Sequence, residues 1–313
     1  MKLKNLKGSL ILITAALIWG LAFVAQSGAA GLVPPFIFNA LRSFIGAAAL
    51  YLFNLFINKR EGKRFFPTEK TERKIYYKAA LVCGICLAVS INFQQFGIAL
   101  YPKGVASEAR AGFITALYVI LVPIFSVFVK KKISSSVWMG VIIAMVGIYL
   151  LCFSGGIGGI YSGDILVFAC AISFSLHIMA VDSFVEKTGG IKLSIMQFCV
   201  AGFISLVLSL VFELNSIILP NILAAAPQIL YLGIMSSGVA YTLQIVGQKF
   251  AEPAVASISM SLESVFAALG GWLISGNTLS GRELFGCFLV FAAIVLAQLP
   301  PIKKSFINNL FII

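Results

Sequence analysis

Apolar residues run along this chain in long blocks, broken only by short polar gaps, from Gly8 to Leu299. Ten blocks can be marked, at approximately 8–29, 34–57, 78–101, 105–129, 135–153, 163–183, 193–213, 227–248, 254–275 and 282–300. Each approaches the roughly 20 residues that carry a helix across a ~30 Å hydrocarbon layer. No water is available there to satisfy backbone groups, so each block is expected to be a helix. The gaps are too short for a soluble domain, the longest hydrophilic stretch being 58–77. An all-α integral membrane protein follows.

Composition agrees: 60% of residues are hydrophobic and 11% charged, against roughly 25% charged in soluble domains. The first block has a basic start (Lys2, Lys4, Lys7) and small residues near Ser27 to Ala30, in the manner of a signal peptide. Its apolar part is longer than a usual signal core and a comparable segment recurs later, so it is read as a membrane span.

The basic residues fix an expected orientation, because short cytoplasmic loops hold Lys and Arg. With the N-terminus inside, that side collects Lys2, Lys4, Lys7, the 59–78 cluster, Lys130 to Lys132, Lys187, Lys192, Lys249, Lys303 and Lys304, leaving Lys103 and Arg282 outside. Both termini are therefore expected in the cytoplasm, with the protein in the cytoplasmic membrane. The +12 net charge then faces anionic lipid headgroups, and nucleic acid is not an expected partner.

The chain repeats itself. The stretch 130–151 lies on 275–297 with Ile133 on Leu279, Gly140 on Gly286 and Leu150 on Leu296. Likewise 93–100 lies on 242–250 with Gln94 on Gln244 and Gly97 on Gly247, the first copy carrying extra residues near "PKGV". Each half is five spans. Five is odd, so the copies insert in opposite orientations, as in many secondary carriers. The expected division is 1–153 for the first repeat and 154–313 for the second with a short cytoplasmic tail. The glycine-rich join "SGGIGGIYSGD" (154–164) lacks the preceding strand and following lysine of a phosphate cradle.

"AALIWGLAFVAQSGA" (15–29) with "PPFIFNALRSFIGAAAL" (34–50) resembles the start of an EamA repeat of the drug/metabolite transporter superfamily, with its Trp-Gly in the first helix and Arg in the second. The 111–151 stretch resembles the end of that repeat, and "SLESVFAALGGWLISGNTL" (261–279) its second-copy counterpart. The resemblance implies ten helices around a central cavity and transport of small metabolites, amino acids and related compounds prominent among them, with export as the expected direction. Two departures stand out: the usual Glu-Pro of the ninth helix is Glu263-Ser264, and the second copy lacks the arginine that Arg42 supplies.

Polar residues inside the spans are the candidate site. Trp19, at mid-span, walls a cavity or packs. Arg42 either pairs with backbone carbonyls or binds substrate, since an arginine at mid-membrane costs about 2.5–3.5 kcal/mol on insertion scales and needs a partner. Asn92, Gln94 and Gln95 in the third span, Tyr118 in the fourth, and Tyr241 and Gln244 in the eighth are cavity candidates; the amides serve equally as interhelical glue. Arg110 with Glu108 is placed where a long side chain reaches the headgroups. His177, the sole histidine, is a candidate proton carrier or a satisfied interior group. Glu263 falls near the midplane, ten residues of helix beyond Pro253, about 15 Å at 1.5 Å per residue. Three roles stay open for it: a structural hydrogen bond, a binding group for an amine, or a proton-coupling site.

Cys83 and Cys86 form a CxxC, but no second pair or nearby histidine completes a metal site. No metal and no cofactor are expected. An enzyme would need a nucleophile with its base or a metal cluster, and HExxH, GxSxG and a Walker lysine are all missing from the sequence. A secondary carrier is the leading expectation, a membrane scaffold or sensor the alternative, and an intramembrane enzyme the third reading. The expected partners are the lipid bilayer, a small-molecule substrate and a coupling proton. Small residues four apart, Gly140 with Ala144 and Ser257 with Ser261, offer a face for a homodimer or for packing within one chain.

Overall fold

The computed structural model describes residues 3–61, 69–102, 107–152, 160–275, 280–297 and 299. The "KGV" of the inserted turn, most of the glycine-rich join, the centre of the 59–78 basic cluster, Leu279, Lys303, Lys304 and the tail lie outside the described residues.

The first half contains α1 (Leu3–Ala29), α2 (Pro35–Glu61), α3 (Lys70–Ala99), α4 (Ser107–Thr115), α5 (Tyr118–Phe128) and α6 (Ser135–Cys152). The second contains α7 (Ser162–Thr188), α8 (Gly190–Phe212), the short α9 (Leu219–Ala224) and α10 (Ala226–Tyr231), a π-helical stretch Leu232–Ala240 continuing into α11 (Tyr241–Gln248), then α12 (Pro253–Met260), α13 (Leu262–Ser275) and α14 (Gly281–Ala297). Among the described residues, eight helical stretches are long and apolar enough to cross a bilayer. The shorter α6 and α14 lie along one another and are consistent with the ten expected spans. Phe128, Phe203, Phe212 and Phe288 are exposed on the outside of the bundle, the solution expected when lipid is the solvent.

Three of the expected unbroken spans are irregular. The fourth is split at Ala116–Leu117, where Leu117 N bonds Ile114 O at 3.2 Å and Val119 N bonds Ala116 O at 3.0 Å, tighter turns than an α-helix makes. The ninth is split at Ser261, whose Oγ donates to Ile258 O at 2.7 Å while Ser264 N bonds Ser261 O; serine hydroxyls that bond carbonyls one turn back bend helices. The eighth is π-helical over Leu232–Ala240.

The two halves are related by a pseudo-two-fold axis, and glycine contacts show its register. A Cβ built on Gly97 of α3 would lie 2.9 Å from Gly163 O of α7, and one on Gly247 of α11 would lie 3.3 Å from Gly8 O of α1. Gly147 of α6 meets Gly286 O at 2.8 Å, and Gly140 meets Ala293 O at 3.0 Å in the same helix pair. Only a residue without a side chain lets the backbones come this close. Inter-half contacts follow the same rule: α3 packs on α7 as α11 packs on α1, while α2 with α8 and α6 with α14 are their own mates.

The small-residue faces are used inside the chain. Gly140 lies against α14, and Ala144, Ser257 and Ser261 are fully buried. They offer nothing to a second copy, so the homodimer reading loses its proposed surface.

Candidate functional site

Helices from both halves enclose a narrow cavity of about 40 Å³ near the middle of the bundle. In α1 Trp19 and Phe23 line it. As far beyond Gly163 of α7 as these lie beyond Gly8 of α1 stand Phe174 and Ile178, which line it too. Gln94 of α3 and Gln244 of α11 precede their matched glycines by equal intervals and both face it. The cavity therefore straddles the pseudo-two-fold axis.

Arg42 enters from α2. Its carbonyl lies 3.2 Å from a Cβ built on Gly233, and Gly46 one turn on would meet Gly233 O at 2.8 Å; glycine at both places seats α2 on the π-helical stretch. Arg42 is 3% exposed, its guanidinium carbon lies 6.0 Å from the centre of the Phe38 ring, and its Nε has no hydrogen-bond partner among the described residues. Counted from the starts of α2 and α8, Gln197 occupies the matching place in the second half.

Tyr118 and Glu263 come from the two split helices. Tyr118 opens α5, Glu263 lies in the first turn of α13, and the phenol donates to Glu263 Oε1 at 2.9 Å. A carboxylate at a helix start also meets the positive end of its dipole. Among the described residues no ion pair joins Glu263 to Arg42, although both face the cavity.

The lining mixes an aromatic wall with unspent polar atoms. Trp19 meets Tyr241 edge-on at 4.8 Å between centroids, and Phe198 backs Tyr241 at 5.2 Å. Trp19 Nε1, Arg42 Nε, Gln26 Oε1 and Gln244 Oε1 are all buried on lining residues and lack a protein partner among the described residues. Buried polar atoms are normally paired, so these two donors and two acceptors are the unsatisfied polar atoms of the lining residues.

Of the residues singled out from sequence, Trp19, Arg42, Gln94, Tyr118, Tyr241, Gln244 and Glu263 share this cavity. The other three do not line it. Asn92 accepts from Asn39 Nδ2 at 2.9 Å and donates to Ala88 O and Ser205 Oγ at 2.8 Å, tying α2, α3 and α8 together. Gln95 donates to Gln26 O at 3.4 Å. His177 is bonded to Gln197 at 2.9 Å and is fully buried. Arg110 does not reach out for headgroups; it pairs with Asp164. The sequence reading passed over Gln26, Thr115, Phe174, Ile178 and Ser236, all on the lining. The repeat register of Trp19 and Phe23 would have found two of them.

Residues 6–153 and 161–299 each match the EamA-like transporter family. An uncharacterized transporter of Archaeoglobus fulgidus is 29% identical over 306 residues, covering 95% of this chain and 87% of that one. The uncharacterized transporter YoaV of Bacillus subtilis is 23% identical over 291 residues, covering 90% and 94%. A crystal structure 21% identical in sequence has the same fold at a TM-score of 0.72, covering 97% of this chain and 98% of that one.

Proposed function

Because this chain belongs to the EamA-like transporter family, we propose that it is a secondary carrier exporting a small amphoteric metabolite, an amino acid or a related compound, across the cytoplasmic membrane. The observation that carries the substrate class is the presence of opposites on one cavity: Arg42, whose Nε has no partner among the described residues, and Glu263 line the same space without an ion pair between them. A solute carboxylate takes the guanidinium, a geometry Arg suits well. The solute ammonium takes the Glu263 oxygen that Tyr118 leaves free, and the apolar body lies against Trp19, Phe174 and Tyr241.

Residues 1–153 and 154–313 are the two units that rock about this site, so that it faces each side in turn. Glu263 couples the cycle by holding either the ammonium or a proton: protonation removes the charge that retains the ammonium, and proton loss restores it. In this reading both termini are cytoplasmic.

The test is solute flux in proteoliposomes, screening amino acids and small amines with and without a pH gradient. Saturable flux of zwitterions is expected, falling when either the carboxylate or the amine is removed from the solute. No protein-dependent flux of any solute would overturn the carrier reading and leave the membrane scaffold or sensor.

A further inference from the structure

We infer that Arg110 and Asp164 form a latch that shuts the end of the bundle carrying the α1–α2 turn and opens once in each transport cycle. This rests on the carrier reading above but concerns residues outside the substrate cavity.

The pair crosses between the repeats, Arg110 on α4 and Asp164 in the first turn of α7. Arg110 Nε meets Asp164 Oδ1 and its Nη2 meets Oδ2, both at 2.6 Å. This two-pronged geometry is the strongest that an arginine offers a carboxylate. Tyr101 OH donates to Oδ1 and Tyr161 N to Oδ2, each at 2.9 Å. The Tyr161 ring centroid lies 4.7 Å from the guanidinium carbon. One carboxylate thus gathers contacts from the end of α3, from α4 and from the start of α7. The side chains of the pair are 12% and 11% exposed, whereas Lys131 and Asp182, which pair at the opposite end, are 41% and 21% exposed. An exposed pair of that kind holds little.

The latch stands over the path to the cavity. Beneath it an apolar cluster joins Phe23, Ile98, Tyr101, Ala111, Ile114, Val167 and Ala267. Tyr101 belongs to both latch and cluster, and Phe23 to both cluster and cavity. A solute leaving at this end must part that cluster, which contains residues of both repeats. The element placed to move is α4. It has nine residues, is joined to α5 through the irregular turn at Ala116–Leu117, and is tethered near its far end by Arg110. Hinges are commonly such element-terminal turns. A charged closure suits a gate: when parted, both ions regain water, which an apolar seam would not.

The test uses an added cysteine at Ala111, which is fully buried directly below the latch. Its labelling by a membrane-impermeant maleimide is read in reconstituted vesicles as the excess over the parent protein. Asp164→Asn should raise that rate about tenfold, the scale of one lost charge-assisted hydrogen bond. In a second arm, Arg110→Cys with Asp164→Cys is bridged by a short reducible bis-thiol reagent; flux should stop and return on reduction. Labelling unchanged by Asp164→Asn, or full flux through the bridged protein, would overturn the latch and leave the carrier reading standing. Should Asp164→Asn fail to accumulate, the bridged pair decides. Absence of flux in the parent protein would instead overturn the carrier reading, while the labelling arm still reports on closure.

Discussion

The Tyr118 phenol donates a 2.9 Å hydrogen bond to Glu263 Oε1 and so ties the split helix of the first repeat to the split helix of the second. Interrupted helices in corresponding positions of two repeats mark the binding region of many carriers. Here a side-chain contact spans both interruptions, and among the described residues it uses the one carboxylate on the cavity lining. Glu263 is therefore held by both repeats at once.

Glu263→Gln keeps the shape and a hydrogen-bonding oxygen for Tyr118 but cannot ionise. Folding and size-exclusion behaviour should be retained, while the response of flux to a pH gradient disappears. Full pH-driven transport by this variant would remove the coupling role and leave Glu263 as a structural bond between helices. Tyr118→Phe should keep the pH response with a lower maximal rate, because the carboxylate remains and only the tie is lost.

Arg42→Ala should raise KM for zwitterions by about tenfold or more, the scale of a charge-assisted hydrogen bond. Arg42→Lys should recover little of this, since an ammonium lacks the planar fork. Trp19→Ala and Gln244→Ala should change transport more than membrane expression; parallel losses of both would mean that these side chains only hold the bundle together.

A methyl group added at Gly147 would sit 2.8 Å from the Gly286 carbonyl, whereas one at Gly112 meets nothing within 4 Å. Thermal unfolding in detergent should show Gly147→Ala destabilised by about 1–3 kcal/mol, as for overpacking elsewhere. Gly112→Ala should be neutral or stabilising by up to about 1 kcal/mol, from the helix preference of alanine. Equal shifts for the two would mean that the α6–α14 contact is looser than its geometry.

Reporter fusions after Lys74, Lys132, Lys187 and Lys304 should register as cytoplasmic and one near Gly159 as external. If the Gly159 and Lys304 fusions reported the same side, the second half would not hold five crossings and the inverted arrangement would fail.

The spans, the repeat and most of the polar cavity were legible because each leaves a local mark: a long apolar block, a matched glycine, a polar residue with no aqueous home. Phase within a helix was not. Asn92, Gln94 and Gln95 lie within one turn, and at 3.6 residues per turn they cannot all face one space. Only Gln94 lines the cavity, and which of the three would do so depends on the contacts of α3 with its neighbours. Phe174 and Ile178 read as ordinary lipid-span residues until the repeat register sets them opposite Trp19 and Phe23. The interruptions at Ala116–Leu117 and Ser261 carry no glycine or proline. The one at Ser261 accompanies serine back-bonding to Ile258 O, and the one at Ala116–Leu117 has no residue type to mark it. Arg110 was misjudged for a related reason: its partner is Asp164, in the other repeat, and no local pattern announces a contact across that interval.

Asp164 follows Gly163 in α7 just as Ser9 follows Gly8 in α1, and Ser9 likewise finds its partner across the interface, Ser259 Oγ at 3.2 Å. One end of the bundle is thus fastened by two ionic prongs, and its mirror position by a single neutral hydroxyl contact. Charge-assisted bonds are roughly twice as strong as neutral ones, so the two closures do not balance. The proposed latch therefore has no ionic counterpart at its mirror position, and its loss in Asp164→Asn is not offset by the equivalent contact of the other repeat.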